Sequence, residues 1–399
     1  MLKKLKTLIN NFGHPDVLID HWDNNYKGYA VWGFEETILW DSSGLYYSGK
    51  KEDQENLNVV QKILDQWKDE SNDIAAVGFI GYNFKNILYP HLSFKNRDNN
   101  FPYLFFGKPQ KIKCYDIGIE KNNIKISIDL TSDILNKNDY KNKISLIKDE
   151  LEQGNAYQIN FTMPKKYETK NNPFDIYYHL RNYAKPKFGY YFKNKNFDIL
   201  SFSPECFFNK NNNKIFSYPM KGTRPRSSEL NIDRKLKKQL KNSIKDKAEH
   251  LMIVDLIRND LGKISKYGSV KVKQMYKVES YETVHQMISC VYGILQKNIN
   301  ESDIIKALFP GGSITGAPKE SAIQIIDKLE DYNRNIYTGS IGFIKSNGDM
   351  NFNMPIRTMN IKNNEIIYPV GGGIVWDSYF KDEWNEAQIK SKILSYIES

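Results

Sequence analysis

The order of hydrophobic and polar residues predicts a chain in which many short strands are interleaved with helices. Residues 16–48 alternate apolar and polar positions and are rich in aromatic side chains, which is typical of strands. In residues 57–68 the apolar positions recur at helical spacing. Similar spacing predicts helices at residues 140–151, 173–183, 232–260, 318–329 and 381–397. Strands are predicted at residues 75–82, 112–119, 124–130, 156–162, 188–192, 199–203, 215–218, 269–272, 291–295, 340–344, 353–359 and 365–370.

Several of these strands follow one another without a helix between them, which favours an α+β fold with largely antiparallel sheets. Asp139 is placed to cap the helix at 140–151, and Gly154 to end it. A length of 399 residues allows two or three domains. The chain has no internal repeat and no low-complexity linker, so we expect one domain.

The composition, with 40% hydrophobic and 26% charged residues, is that of a globular protein. No apolar run approaches the roughly 20 residues of a membrane helix. The basic start lacks the features of a signal peptide, and the three cysteines show neither a disulfide nor a zinc pattern, so we expect a cytoplasmic protein. The net charge of +10 is spread among asparagines, which does not favour nucleic-acid binding.

Residues 218–226 place one lysine, Lys221, between apolar and cationic neighbours. Pro219 lacks an N–H group and Gly222 tolerates unusual backbone angles, so we expect a strand to end here. Lys221, Thr223 and the two arginines of this stretch can converge on a small anion. The alternative is a basic surface loop.

Two pairs of acidic residues recur at helical spacing of three. Asp246 and Glu249 form the first pair, and Glu383 and Glu386 form the second, with Lys390 one turn further on. Residues three apart share a helix face, so facing helices bring these carboxylates together in a set that suits Mg²⁺. The alternative is two solvated helix faces with an ordinary Glu386–Lys390 ion pair.

Two glycine-rich loops and three single residues add further candidate chemistry. Residues 309–319 open a predicted helix whose N–H groups can receive an anion, and residues 370–375 lead towards the second acidic pair; both are alternatively plain turns. Arg357, in a predicted apolar strand, needs a carboxylate partner or reaches solvent from an edge strand. Tyr337 adds a hydroxyl group. Desolvation at a strand end makes Glu205 a candidate acid.

Taken together and in order, these stretches resemble the chorismate-utilising enzymes. The matching residues are 203–205, 219–226, 248–262, 310–319, 356–358, 371–375 and 383–390. They run in the family order over about residues 140–399, whereas residues 1–130 match more loosely. The resemblance implies one chorismate-binding synthase domain over residues 1–399. It implies an α+β fold of two large facing β-sheets flanked by helices, with the site between the sheets.

The resemblance also implies roles for individual residues. Glu249 and Glu386 would ligate Mg²⁺, which receives the ring carboxylate of chorismate, while Asp246 and Glu383 orient metal-bound water. Glu205 would protonate the departing C4 hydroxyl. The enolpyruvyl carboxylate would be held by Arg357, Tyr337, Gly371, Gly372 and Gly373. The other substrate-binding residues that we expect are Thr223, Gln158 and Lys390.

Two positions distinguish the reactions within the family. Isochorismate and salicylate synthases carry a water-activating lysine where this chain has Gln158, so we do not expect water addition. Anthranilate synthases have alanine where this chain has Lys221. In aminodeoxychorismate synthases this lysine is proposed to attack C2 as the C4 hydroxyl leaves, after which ammonia adds at C4. The attack needs a neutral amine, which desolvation favours; the alternative is a lysine that only positions or balances charge.

The usual family histidine near the substrate corresponds here to Gln286, with His285 beside it. A shift of one residue on a strand turns a side chain to the other face, so we leave His285 out of the site.

No nucleophile elbow of a glutaminase is present in the sequence, so we expect ammonia from solution or from a separate glutamine amidotransferase subunit, component II. We also see no extension for a lyase. The resulting prediction is Mg²⁺-dependent amination of chorismate to 4-amino-4-deoxychorismate for para-aminobenzoate and folate synthesis, with no nucleic-acid or membrane partner. The alternatives are anthranilate synthase component I and a catalytically silent binding protein of the family.

Overall fold

The computed structural model describes residues 3–22, 27–71, 73–95, 101–119, 125–133, 136–281, 284–391 and 394. The helices of this part are α1 Leu5–Phe12, α2 Leu57–Glu70, α3 Lys85–Leu88, α4 Lys137–Glu152, α5 Pro173–Ala184, α6 Leu230–Asn242, α7 Ile244–Gly262, α8 Glu301–Leu308, α9 Lys319–Leu329 and α10 Phe380–Lys390. The strands are β1 Lys3–Lys4, β2 Val17–Asp20, β3 Lys27–Asp41, β4 Gly44–Tyr47, β5 Lys50–Lys51, β6 Ile74–Ile80, β7 Leu104–Asp116, β8 Asp129–Asp133, β9 Gln158–Glu168, β10 Phe188–Lys193, β11 Asp198–Ser203, β12 Cys206–Asn211, β13 Lys214–Ser217, β14 Met220–Pro225, β15 Lys271–Ser280, β16 Val284–Ile294, β17 Gly316–Ala317, β18 Ser340–Lys345, β19 Met350–Asn353, β20 Thr358–Lys362 and β21 Glu365–Ile374. Among these helices, none is long and apolar enough to span a bilayer.

Most strands follow one another in a single hydrogen-bonded ribbon. Its order is β8-β9-β21-β20-β11-β10-β2-β3-β7-β6-β18-β19-β12-β13-β16, and β16 also pairs with β14 and β15. All of these pairs are antiparallel, whereas the short β1 pairs with β7 in parallel. The prediction of an α+β fold with largely antiparallel sheets is therefore confirmed.

The ribbon folds over so that its two halves face each other. Phe79 of β6 and Phe192 of β10 lie edge to face with ring centroids 5.3 Å apart, although their strands are not hydrogen-bonded neighbours. Phe101, Phe105 and Phe197 pack around this pair. Each such aromatic pair contributes about 0.5–1.5 kcal/mol beyond the area it buries. The expected two facing sheets are thus present, and they are joined through shared strands.

Two predicted helix features differ from the structure. The single helix expected at 232–260 is split into α6 and α7, because the side chain of Ser243 accepts a hydrogen bond from the Asp246 amide (3.2 Å) and caps a new helix. The cap of α4 is Asn136, whose side chain accepts from the amide of Asp139 (2.9 Å), so Asp139 lies inside the first turn.

Four predicted segment bounds also change. The strand expected at 353–359 is interrupted, because β19 ends at Asn353 and β20 begins at Thr358. The strand expected at 269–272 begins at Lys271 and continues to Ser280. The strand expected at 124–130 is displaced towards the C-terminus, because β8 runs from Asp129 to Asp133 and residues 125–128 are not in a strand; residue 124 lies outside the described residues. The last helix is confirmed as α10, while residues 392–393 and 395–397 of the prediction lie outside the described part.

Candidate active site

A cavity of about 400 Å³ lies where the two ends of the ribbon meet. Its walls come from β9 and β21 on one side and from β14 and β16 on the other, with α7 and α10 at the rim. Every site residue predicted from the sequence lines this cavity except Gln158, which lies directly behind Gly373. The structure therefore brings together side chains that are widely separated in the sequence.

Lys221 projects into the cavity from an irregularity in β14. Met220 pairs with Ile288 and Thr223 with Gln286, so one extra residue bulges between them and the strand continues to Pro225, contrary to the expected strand end. Gly222 has φ +77°, and a Cβ there would lie 2.9 Å from Asp246 Oδ1 on α7, so this bulge requires glycine. Burial lowers the pKa of Lys221, which favours a neutral amine, although Glu249 opposes this shift.

The two arginines beside Lys221 do not converge on an anion as we predicted. Arg224 donates to Asp246 Oδ2 (2.8 Å), and Arg226 donates to Asp233 Oδ1 (2.8 Å). The hydroxyl of Thr223 donates to Gln286 Oε1 (2.9 Å). Arg224 also lines the cavity, but both arginines are paired with carboxylates of the protein. Among the described residues, Lys221 is therefore the cation of this stretch that forms no ion pair.

Glu205 lies at the other side of the cavity and is 7% exposed. It follows β11, where Ser203 accepts from the Glu205 amide (3.1 Å) and holds the turn. Burial raises the pKa of Glu205 to about 7, while a hydrogen bond from Ser313 Oγ (3.1 Å) and the charges of Lys221 and Lys390 act in the opposite direction. Near neutral pH this carboxyl group is partly protonated, so it can donate a proton.

The two predicted acidic pairs face the cavity from α7 and α10. Glu383 accepts from Ser378 Oγ (2.7 Å), and Glu386 forms an ion pair with Lys390 (2.7 Å). Burial raises the pKa of both Glu249 and Glu383, and their charges and that of Glu386 repel one another; Lys390 lowers the pKa of Glu386. Several carboxylates are therefore held close together, and Lys390, Arg224 and Lys245 form ion pairs with three of them.

A hard divalent cation fits this donor set. In the part of the chain that the structure describes, no group of three or more His, Cys, Asp or Glu side chains is placed to hold a metal ion. However, Mg²⁺ commonly uses only one or two protein carboxylates and completes its shell with water and substrate oxygens. Glu249 and Glu386, on different helices and open to the cavity, match this pattern.

Arg357 and Tyr337 line the cavity from neighbouring loops. The prediction that Arg357 lies in a strand is wrong. Arg357 lies in the segment between β19 and β20, with φ +53°. Its guanidinium has no ion pair within the described residues. Tyr337 is 5% exposed, and burial raises its pKa, so its hydroxyl remains a proton-bearing donor. A free cation and a phenol together suit a ligand carboxylate.

Gln158 is fully buried, and both polar atoms of its side chain have no hydrogen-bond partner in the described chain. A Cβ on Gly373 would lie 2.9 Å from its Cδ, so the amide is packed against the glycine loop. A Cβ on Gly372 would lie in van der Waals contact with three charged groups, 3.4 Å from Lys390 Nζ and 3.6 Å from both Glu383 Oε2 and Glu386 Oε1. Unpaired buried polar atoms are costly, which indicates a site completed by a ligand or by water.

The glycine-rich loop at 309–319 has a different role from the one predicted. Ser313 and Ile314 line the cavity, whereas the start of α9 does not. Lys319 instead binds Asp260 of α7 (2.6 Å) in a buried ion pair. The loop instead supplies a donor to Glu205, and the predicted anion site at the start of α9 does not face the cavity.

The lining residues that sequence reasoning did not single out include Asn160 and Ser313. Ser313 could have been found as the polar residue of a buried glycine-rich loop. Asn160 gives no signal, because only the pairing of β9 with β21 places it there. Gln286 lines the cavity, as expected from strand alternation, and its Nε2 donates to the Gly222 carbonyl (3.0 Å). His285 points to the other face, where it contacts Asp233 (3.0 Å).

A family model described as chorismate binding enzyme matches residues 120–396. The chain is 35% identical over 336 residues to anthranilate synthase component 1 of Saccharolobus solfataricus, covering 80% of this chain and 79% of that protein. It is 38% identical over 273 residues to aminodeoxychorismate synthase component 1 of Escherichia coli, covering 67% of this chain. That alignment spans 60% of the length of the Escherichia coli protein.

Solved structures show the same fold. Anthranilate synthase component I from Streptococcus pneumoniae TIGR4 superposes with a TM-score of 0.80 at 24% identity, covering 93% of this chain and 92% of that one. DhbC from Bacillus anthracis, a protein described as a 2,3-dihydroxybenzoate-specific isochorismate synthase, superposes with a TM-score of 0.77 at 19% identity, and the match covers 98% of both chains. The architecture is therefore shared by enzymes that are named for different reactions.

Proposed function

This chain belongs to the chorismate binding enzymes, and from that premise we propose that it converts chorismate and ammonia into 4-amino-4-deoxychorismate. The observation that carries the proposal is the amine of Lys221, which shares one cavity with the raised-pKa acid Glu205. An amine with a lowered pKa can act as a nucleophile, and a carboxyl with a raised pKa can act as an acid. Together, a nucleophile and an acid can replace a hydroxyl group, because the acid protonates the hydroxyl as it leaves.

The substrate carboxylates have separate sites in this proposal. When bound, Mg²⁺ supplies the charge that receives the ring carboxylate of chorismate. Glu249 and Glu386 would hold the ion, and Asp246 and Glu383, beside them, would orient water at that site. Arg357 and Tyr337 bind the enolpyruvyl carboxylate against the backbone of residues 371–373, with Thr223 and Lys390 at the edge of the cavity.

The first chemical step joins Lys221 to the substrate. The neutral Nζ attacks C2, the two ring double bonds shift, and the C4–O bond breaks. Glu205 gives its proton to the departing oxygen, so water leaves instead of hydroxide. The step ends with Glu205 ionised and a positively charged secondary amine at C2, so charge is balanced.

The second step releases Lys221. Ammonia attacks C4, the double bonds shift back, and the C2–N bond breaks to return a neutral lysine. The product leaves as an ammonium whose extra proton balances the one that Glu205 lost. Gln158 has an unpaired side-chain amide next to Gly373, the same glycine that Lys221 Nζ approaches, so it lies close to the reacting amine. We further propose that a separate glutamine amidotransferase, component II, supplies the ammonia for para-aminobenzoate and folate synthesis.

Anthranilate synthesis is the second candidate, and one observation favours it. The alignment with the anthranilate synthase component of Saccharolobus solfataricus covers more of this chain, 80%, than the 67% covered by the Escherichia coli aminodeoxychorismate synthase component. A catalytically silent binding protein is the third alternative. The intact set of Lys221, Glu205, Glu249 and Glu386 in one cavity supports an enzyme instead.

The deciding experiment is product analysis by mass spectrometry. The pure protein is incubated with chorismate, Mg²⁺ and ammonium at mildly alkaline pH, beside Lys221→Ala and the matched surface variant Lys238→Ala. Lys238 is exposed on α6, away from the cavity. We expect a non-aromatic amino product that retains the enolpyruvyl group, made by the wild type and by Lys238→Ala and lost or strongly slowed in Lys221→Ala.

Anthranilate and pyruvate as products would overturn the proposal in favour of the second candidate. No turnover by any of the three proteins, with chorismate binding intact, would identify a binding protein. An amino product made equally fast by Lys221→Ala would keep the reaction but remove the lysine from the mechanism.

A further inference from the structure

We propose that Arg334, which does not line the cavity, is a positioning residue that aligns both the proton donor and the carboxylate-binding residues. The inference rests on the proposed function, because it takes Glu205 as the acid and Tyr337 with Arg357 as the binders of the enolpyruvyl carboxylate. Arg334 lies between α9 and β18 and is 2% exposed.

All five N–H donors of Arg334 are used. Nε and Nη2 donate to the two carboxylate oxygens of Glu330 (2.8 and 2.6 Å). The remaining donors reach three different segments. They go from Nη2 to the carbonyl of Asn160 (2.6 Å), from Nη1 to the carbonyl of Ile314 (3.0 Å) and from Nη1 to Thr338 Oγ1 (3.1 Å). A planar fork with five donors can make these contacts at once, whereas an ammonium group with three donors cannot.

The ion pair between Arg334 and Glu330 is also bound to the sheet. Glu330 Oε1 also accepts from the amide (2.8 Å) and the hydroxyl (2.7 Å) of Thr162 in β9. Glu330 therefore fixes the position of the Arg334 guanidinium, and the guanidinium in turn fixes the positions of the other groups that it binds.

The contact of Arg334 with Ile314 connects it to Glu205, the proposed acid. Ile314 follows Ser313, and Ser313 Oγ donates to Glu205 Oε1 (3.1 Å). The contact from Arg334 to the Ile314 carbonyl thus fixes the loop that carries the donor to Glu205. Lys221 and Lys390 also act on Glu205 electrostatically, but neither contacts Arg334 in the described structure.

The contact of Arg334 with Thr338 connects it to Tyr337 and Arg357, the proposed carboxylate-binding residues. Thr338 has φ +60°, a rare conformation for a β-branched residue, which persists only where surrounding contacts impose it. Its hydroxyl donates to the Tyr337 carbonyl (2.6 Å), and its amide donates to the carbonyl of Pro355 (3.0 Å), two residues before Arg357. Arg334 supports this conformation through Oγ1, and so it holds the loops of Tyr337 and Arg357 together.

Arg181 provides a matched control for a purely stabilising role. It is 1% exposed and binds Asp20 with Nε and Nη2 (both 2.7 Å), so it is also a buried, two-point arginine–carboxylate pair. Among the described residues, it neither lines the cavity nor binds a residue that does, because its partners are Asp20 and the rings of Trp22, Tyr115 and Tyr178. Loss of either fork should destabilise the fold, but only loss of the Arg334 fork should change the chemistry.

The test compares Arg334→Lys with Arg181→Lys in the full chain. The readouts are the urea midpoint and, for the folded fraction, kcat, KM for chorismate and the pH profile. We expect both variants to lose stability. We expect only Arg334→Lys to lose kcat, by about tenfold or more, because small misplacements of catalytic groups have such effects, and to raise KM.

The pH profile separates positioning from a general loss of structure. The bond from Ser313 lowers the pKa of Glu205, so displacing that loop should move the alkaline limb of Arg334→Lys to higher pH. Ser313→Ala should reproduce this shift without the change in KM. Wild-type kcat, KM and alkaline limb in folded Arg334→Lys would overturn the inference.

If Arg334→Lys cannot be obtained folded, Glu330→Gln decides the question, because it keeps the arginine but weakens its anchor. A smaller loss of kcat, a smaller rise in KM and a smaller shift of the alkaline limb in Glu330→Gln would support the inference. Wild-type kinetics in this variant would overturn it. Glu205→Gln keeps the two hypotheses apart. Full activity of that variant would remove Glu205 as the acid and defeat the proposed function, whereas an inactive Glu205→Gln beside a wild-type-like Arg334→Lys would defeat only this inference.

Discussion

The amine of Lys221 lies against the backbone of Gly373, so close that a Cβ on Gly373 would be 2.7 Å from Nζ. The same Cβ would lie 3.0 Å from Gln158 Nε2. Gly373 belongs to β21 and Lys221 to β14, strands that are not paired with each other. Glycine at this point therefore sets how far the lysine reaches across the cavity.

Gly373→Ala should disturb catalysis more than folding. The added methyl group must displace Lys221 or Gln158, and we expect kcat to fall about 10- to 100-fold, since misplacement by about 1 Å has such an effect. Steady-state kinetics and the urea midpoint measure the two effects. The control is Gly118→Ala, whose Cβ meets no atom within 4 Å. Wild-type kcat in Gly373→Ala would contradict contact between the lysine and this backbone.

The pH dependence of kcat/KM for chorismate should be bell-shaped. Glu205 must be protonated to act as an acid, so activity should fall as pH rises through its pKa of about 7. Lys221 must be neutral, so activity should also fall towards acid, although burial lowers its pKa and moves this limb down from the usual lysine range. Rates at fixed free ammonia test this. An activity that rises steadily up to pH 9 would rule out Glu205 as the acid.

Glu205→Gln should change how stability depends on pH. The pKa of Glu205 is raised from 4.5 to about 7 on folding, so its stabilising contribution is complete below pH 4.5 and is lost as pH rises through 7. The unfolding free energy of Glu205→Gln relative to wild type should therefore increase by roughly 3 kcal/mol between pH 4 and pH 8, at 1.36 kcal/mol per pKa unit. Urea unfolding at both pH values, in a chelator, provides the measurement. A constant difference would show that Glu205 is not held in a protonated state.

Mg²⁺ should bind and stabilise the protein without substrate. Binding relieves the repulsion among Glu249, Glu383 and Glu386, so the melting temperature should rise with Mg²⁺ concentration. Glu386→Gln should abolish most of this rise, whereas Glu152→Gln, an exposed residue of α4, should retain it. Titration calorimetry and thermal melts provide the readouts. Equal Mg²⁺ responses in the two variants would exclude Glu386 as a ligand.

Arg181→Met should destabilise the fold and spare the chemistry. It leaves Asp20 fully buried with the hydroxyls of Tyr115 (2.6 Å) and Tyr177 (2.9 Å) but no cation. Removing one partner of such a pair costs about 3–5 kcal/mol. Urea unfolding gives the stability, and kcat at a temperature where the variant is folded gives the activity. A loss below about 1 kcal/mol would contradict a stabilising role for the Arg181–Asp20 pair.

Local pattern was sufficient to predict the class of fold and to group some of the charged residues that line the cavity. Periodicity placed Asp246 and Glu249 on one helix face, and it placed Glu383 and Glu386 on another. It did not predict the break at Ser243, because a serine side chain competing for an amide outweighs apolar spacing that continues through it. Arg357 was assigned to a strand because the residues around it are apolar. That pattern does not reveal the positive φ that Arg357 adopts in the structure.

The contacts that orient the site were beyond sequence reasoning. Ser313 bonds Glu205 across a separation of 108 residues, and Arg334 reaches Asn160 across 174. Such contacts depend on which strands become neighbours, and a single sequence does not contain that information. The two arginines beside Lys221 show the converse, because nearby carboxylates satisfied charges that we had assigned to a ligand.

The meeting of the two ends of the ribbon also bears on how the protein folds. β9 and β21 lie near one end of the strand order, and β14 and β16 lie at the other, so the cavity closes only after the intervening strands have paired. Long-range pairing of this kind is slow, because chain entropy is lost before the contacts form. Catalytic activity should therefore be among the last properties to return during refolding, after most of the far-ultraviolet circular dichroism has recovered. In this architecture the active site reports the completion of folding.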